Sequence, residues 1–153
     1  VVRLIKGDRY RSRLISKIMF GAYNKHIKNV RTVNDWLTRD EAVVDEYNAG
    51  KLTTFLFTVN GYRGLMNMIL YVRKPRNIER IPKNLPMLMI SGLDDPVGEY
   101  GKGVYRAYNS YHGHIDDIDL RLYEDCRHEL CNELNKEEIY EEIYGWIMNH
   151  MSK

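Results

Sequence analysis

Two cysteines, Cys126 and Cys131, are all that this 153-residue chain holds. They are too few for a disulfide framework, and their spacing without partnered His or Cys fits no zinc pattern. Free thiols in a reducing compartment are the expectation, and with them a cytoplasmic location and no metal site. Apolar runs are also scarce: none approaches the roughly 20 residues needed to span a bilayer, so no transmembrane segment is expected. The opening, VVRLIKGDRYRSR, has neither a hydrophobic signal region nor an initiating Met, and it reads as the middle of a longer protein. Internal repeats, low-complexity tracts and runs of five like charges are missing as well.

What is present is the composition of a soluble globular domain, 44% apolar and 29% charged, with enough apolar residues to bury a core. The formal net charge of +2 hides a division: residues 1–84 hold 17 Lys+Arg against 7 Asp+Glu, whereas residues 85–153 hold 6 against 14. Two compositional blocks meet near KNLP. The basic charges of the first are dispersed and accompany no nucleic-acid motif, so they read as a solvated face and no nucleic-acid partner is expected.

In the second block LPMLMISG reads as a short buried strand over 86–91, with the continuous apolar character of a parallel sheet covered on both faces, and Gly92 ends it. A helix is predicted from about Lys102 to Tyr111, closed by Gly113. DIDLRLY, 117–123, alternates Ile118, Leu120 and Leu122 on one face, as a strand does. The last helix sets Ile139, Ile143, Trp146 and Ile147 on one stripe, with Asn135 as N-cap and acids in the first turn. Strand, helix, strand, helix at this spacing is a βαβα unit with a right-handed crossover.

The first block is mainly helical. TRDEAVVDEYNAG opens with Thr38 and Glu41 as a capping box and closes on Gly50. GYRGLMNMILYVRKP carries Leu65, Met68, Ile69 and Val72 at helical spacing, with Pro75 as a stop. RSRLISKIMFGAYNK is a third helix.

Functional side chains of an open parallel sheet gather at the carboxyl ends of its strands, where the loops face one crevice. Asp95 lies just past the first of these ends and His128 just past the second. A histidine that shuttles protons needs a carboxylate on its other ring nitrogen to hold the tautomer and stabilise the imidazolium. Asp94 competes for the acid role. Asp95 is favoured because it precedes Pro96, whose ring restricts the backbone and holds the carboxylate in one direction.

LPMLMISGLDDPVG with GKGV after it, RLYEDCRHELCNE, and the IYEEIYGWI helix together resemble the C-terminal third of α/β-hydrolase serine hydrolases. The likeness is to the monoacylglycerol lipase and lysophospholipase-like group, also described as serine aminopeptidase-like, over residues 85–150. Gly92 to Asp95 match its G-x-x-D pattern, and Arg127, His128 and Glu129 match its R-H-E segment. The resemblance implies Asp95 as triad acid and His128 as base. FGAYNK, RTVNDWLTRDEAVVDEYNAG and FTVNGYRGLM resemble its helical cap. That implies that residues 1–84 form a cap region before a core portion at 85–153, with Phe55, Phe57, Met66 and Met68 lining an acyl pocket.

The group's nucleophile sits in a G-x-S-x-G elbow. Ser12, Ser16, Ser91, Ser110 and Ser152 are the only serines here, and glycines flank none of them at that spacing. The expected fold class is therefore the C-terminal strand-helix-strand-helix portion of an α/β-hydrolase behind a mainly helical cap, with the N-terminal half of the sheet absent. The expected reaction is hydrolysis of a lipid-like or small ester, such as a monoacylglycerol or lysophospholipid, without metal or organic cofactor. The expected partner is an N-terminal half carrying the serine, or another copy of the chain. Alone, the chain is expected to be inactive; a non-catalytic binding or assembly module is the alternative.

Overall fold

A computed structural model describes residues 2–151. Helices α1 (Val2–Lys6), α2 (Arg13–Phe20), α3 (Glu41–Ala49), α4 (Val59–Val72) and α5 (Pro75–Ile78) precede β1 (Met87–Gly92), α6 (Lys102–His112), β2 (Ile118–Tyr123) and α7 (Lys136–Met151). Helices α2, α3 and α4 each start where a short polar side chain holds a free N–H. Ser12 accepts from Ile15 N–H before α2, and Thr58 accepts from Gly61 N–H before α4. Pro75 does not merely stop α4; it opens α5 as its first residue, where a missing N–H costs nothing.

One predicted cap is corrected, and a second, Asn135 directly before α7, keeps its predicted place without a side-chain capping bond. Asp40, not Thr38, caps α3, its Oδ1 accepting from the N–H groups of Ala42 and Val43. Thr38 is buried, and its hydroxyl donates to the carbonyl of Asn132 at 2.7 Å. Before α7, the Asn135 side chain accepts from Arg39 Nη2 at 2.8 Å rather than turning back on its own helix. Both side chains are drawn off by partners far away in the chain.

The strands β1 and β2 pair in parallel, in register from Met87 opposite Ile118 to Gly92 opposite Tyr123. Their carboxyl ends are therefore level, and the two following loops leave the sheet side by side. Of β1 only Ser91 and Gly92 are buried, while Met87 to Ile90 are half-buried. Full burial on both faces was expected, but a sheet of two strands keeps its edges and much of one face bare. Cys126, Leu130 and Ile139 form one buried cluster, with Ile90, Tyr123 and Ile143 against it. From the predicted stripe of α7, Ile139 is fully buried, Trp146 donates to Asp119 Oδ2 at 2.7 Å, and Ile147 remains exposed. No helix among the described residues is long and apolar enough to cross a membrane.

Gly92 shows why β1 must end on glycine. A Cβ there would sit 2.0 Å from the Cys126 carbonyl oxygen and 2.4 Å from that of Arg127. Both are backbone atoms of the loop that carries His128, so neither can rotate away. Gly92→Ala should therefore cost about 3 kcal/mol or more, by forcing that loop off the strand end. Gly64→Ala, in an open position on α4, should instead gain about 0.5–1 kcal/mol from helix propensity. Thermal denaturation of the two variants side by side checks both signs, and equal melting temperatures would contradict the crowding at Gly92.

Candidate active site

Asp95 follows β1 by three residues, and its side chain is held before it meets any partner. Oδ1 accepts from Val97 N–H at 2.8 Å, a turn that Pro96 favours, while the backbone carbonyl accepts from Tyr100 N–H at 2.8 Å. Asp95 is 5% exposed. Asp94, one residue earlier, is exposed, and its N–H goes to the Cys126 carbonyl at 2.9 Å. The alternation along the turn thus sends one carboxylate inward and the other to solvent.

His128 follows β2 by five residues, and its Nδ1 lies 3.1 Å from Asp95 Oδ2. With Asp95 ionised, Nδ1 carries the proton and donates it, which leaves Nε2 as the basic nitrogen. Nε2 has no hydrogen-bond partner among the described residues, and the side chain is 37% exposed. The hydrogen bond to Asp95 raises the His128 pKa above its ordinary 6.5; burial opposes it, and the charges of Asp95 and Glu129 add to it. A raised folded-state pKa means that the ion pair stabilises the fold fully below the unfolded value. That contribution disappears as pH climbs through the folded value.

Two cap elements close over this pair. The Trp36 ring packs on the His128 ring with centroids 5.1 Å apart, Tyr23 meets Trp36 edge-on at 4.9 Å, and His26 meets Tyr100 at 4.8 Å. Asp35 shapes the turn that presents Trp36: its carboxylate accepts from the N–H groups of Arg31 and Thr32 and from the Thr32 hydroxyl.

The residues that pin the histidine loop to the cap were not foreseen from sequence. Arg127 Nη1 donates to the carbonyls of Asp35 (2.7 Å) and Thr38 (2.9 Å), and Glu129 N–H donates to the carbonyl of Leu37 (2.7 Å). Glu133, fully buried, accepts from Arg39 Nε and Arg127 N–H, each at 2.8 Å, and from Arg39 N–H at 3.3 Å. Burial works against the Arg39 guanidinium, but the hydrogen bond and charge of Glu133 hold its pKa above the ordinary value. The sequence signal was available in outline: Glu133, an acid between Leu130 and Leu134 and five residues after His128, had no obvious local partner.

Beside Trp36 the cap encloses a cavity of about 810 Å³. Phe20, Trp36, Tyr47, Phe55, Phe57 and Tyr62 supply its aromatic wall. Phe55 and Phe57 are thus among the residues that line it. Met66 and Met68 are not among the lining residues. They lie further along α4 than Tyr62, and Met68 is 58% exposed, because the helix carries them past the cavity. No three His, Cys, Asp or Glu side chains gather into a metal-holding group among the described residues.

A family model described as serine aminopeptidase, S33, matches residues 5–135. Among solved structures, a highly thermostable carboxyl esterase from Bacillus coagulans in complex with glycerol superposes with a TM-score of 0.82 at 22% identity, over 98% of this chain and 48% of that one. A lipase in its open form gives a TM-score of 0.80 at 20% identity, over 92% and 46%. The chain therefore spans about half the length of these structures. No curated protein sequence matches it.

Proposed function

Because the chain belongs to the serine aminopeptidase S33 family of α/β-hydrolases, and carries the cap and C-terminal strand-helix-strand-helix part of that fold, we propose that it supplies the acid and base of a Ser-His-Asp triad in an ester hydrolase. The observation that carries this reading is the 3.1 Å contact of Asp95 and His128 at the level ends of adjacent parallel strands, with Nε2 left free. The nucleophilic serine comes from outside this chain. Residues 1–84 act as the lid and residues 85–153 as the core portion beneath it. Substrates are carboxylic esters with an apolar part, of the monoacylglycerol or lysophospholipid kind, acting in the cytoplasm.

In the reaction the serine Oγ attacks the ester carbonyl carbon while its proton passes to His128 Nε2. The resulting imidazolium is stabilised by Asp95 through Nδ1–H. Collapse of the tetrahedral intermediate breaks the bond to the alkoxide, which takes the proton from Nε2. Water then repeats the sequence on the acyl-enzyme, with Nε2 first accepting and then returning a proton, and the carboxylic acid leaves. His128 reacts as the neutral base, so its raised pKa shifts the acid limb of the rate profile upward.

The polypeptide encoded by the complete reading frame that includes this chain should hydrolyse p-nitrophenyl esters. Its kcat/KM should rise with pH through an inflection above 6.5, the ordinary histidine value. The 153-residue chain by itself should give only background hydrolysis. A complete frame that folds but shows neither turnover nor fluorophosphonate labelling would replace this reading with a binding or assembly role.

A further inference from the structure

The wall of the cap cavity is uneven in charge. Its lining includes Arg13 and Lys17 and no Asp or Glu. These two cations are four residues apart on α2, so they stand on one face a turn apart. Neither side chain has an ion-pair or hydrogen-bond partner among the described residues, and both are exposed at the cavity's rim. Cations on a protein surface usually face acids nearby. Here residues 1–34 hold nine Lys+Arg and a single acid, Asp8, and Asp8 is already taken by Arg3 at 2.6 Å. The rim is therefore a positive edge on an aromatic chamber, and Trp36, one of its wall residues, also packs on the His128 ring.

We propose that this cavity selects amphipathic esters that carry an anionic group, with the aromatic wall taking the apolar part and Arg13 and Lys17 pairing with a phosphate or carboxylate. The inference rests on the hydrolase reading and refines its substrate class. A neutral glyceryl ester can fill the aromatic chamber but leaves both cations with water only. A phosphate-bearing ester of the same acyl length gains charge-assisted hydrogen bonds from them. Arg suits a two-oxygen contact with a phosphate, and the ammonium of Lys17 adds a mobile point charge. Because the rim is solvent-exposed, the preference is moderate in size and sensitive to salt.

The test compares decanoyl lysophosphatidate with decanoyl monoacylglycerol, both below their micellar concentrations, on the polypeptide of the complete reading frame. The anionic ester should have a kcat/KM roughly tenfold higher, expressed in KM, at low ionic strength. The ratio should fall towards one in Arg13→Gln/Lys17→Gln and return in the charge-preserving Arg13→Lys/Lys17→Arg. A wild-type ratio of one or less, or a ratio that the Gln pair leaves in place, overturns the proposal. If the Gln pair does not fold, the salt series on the wild type decides: a ratio that collapses by 0.5 M salt upholds the subsite, and a flat one removes it. If neither ester is hydrolysed, the hydrolase reading fails separately, and calorimetric titration with decyl phosphate against 1-O-decylglycerol still reads the anion preference. Tighter binding of the phosphate upholds it, and equal affinities overturn it.

Discussion

Asp95→Asn should lower kcat of the complete-frame enzyme by about 10⁴-fold while leaving the fold intact, which circular dichroism and the melting temperature would verify. An amide at Oδ2 can present its NH₂ to Nδ1 and so favour the tautomer whose Nε2 carries the proton. That form cannot accept one from serine, and the imidazolium loses its counter-charge. The exposed position of Asp94 and the 3.1 Å contact of its neighbour make the control clear. Asp94→Asn should change kcat less than about threefold, since it removes an exposed, solvated charge that makes no side-chain hydrogen bond or ion pair among the described residues. His128→Ala should be as damaging as Asp95→Asn or more so, and the double variant should add little, because the groups act as a unit. The surviving activity of Asp95→Asn should also show its acid limb at lower pH, as the hydrogen bond that raises the His128 pKa is the largest cause of the shift. Near-normal turnover in Asp95→Asn would remove Asp95 from the mechanism.

How much of this was legible in the sequence depended on the range of each interaction. The strands over 87–92 and 118–123, the helix between them and the terminal helix appear at or within one or two residues of their predicted limits. Their apolar periods and glycine stops are local signals. The meeting of Asp95 and His128 was also legible, since level parallel strands place their following loops together whatever else the chain does. The side-chain partners of Thr38 and Asn135 were not legible, for the opposite reason. A T-x-x-E pattern is a local signal, but the Thr38 hydroxyl is claimed by Asn132, 94 positions away, and no period or spacing carries that. Met66 and Met68 failed to reach the cavity because helical spacing locates a face without saying which neighbour that face meets. The half-exposed face of β1 reflects missing sheet neighbours rather than its own apolar pattern.

The same long-range contacts set the second large effect. Glu133→Ala should destabilise the protein by about 3 kcal/mol, seen as a lower denaturant midpoint with an unchanged slope. Four donors point at that carboxylate: Arg39 Nε and Arg39 N–H from far back in the chain, Arg127 N–H, and Leu134 N–H beside it. Removing a fully buried partner leaves such groups without an acceptor, which costs about 3–5 kcal/mol when the charge left behind is buried too. Arg39 is 27% exposed, so its guanidinium can turn partly to water, and the lower end of that range applies. Glu133→Gln keeps one acceptor oxygen and the shape of the side chain, and should cost less, about 1–2 kcal/mol. Because Arg127 precedes His128 directly and also holds the carbonyls of Asp35 and Thr38, loosening this joint displaces the imidazole and the Trp36 wall together. Under conditions where Glu133→Ala remains folded, kcat should fall by up to about 10²-fold, the cost of an ångström-scale misplacement. A stable Glu133→Ala with normal kcat would mean that water replaces the carboxylate and that the clamp between cap and histidine loop lies elsewhere.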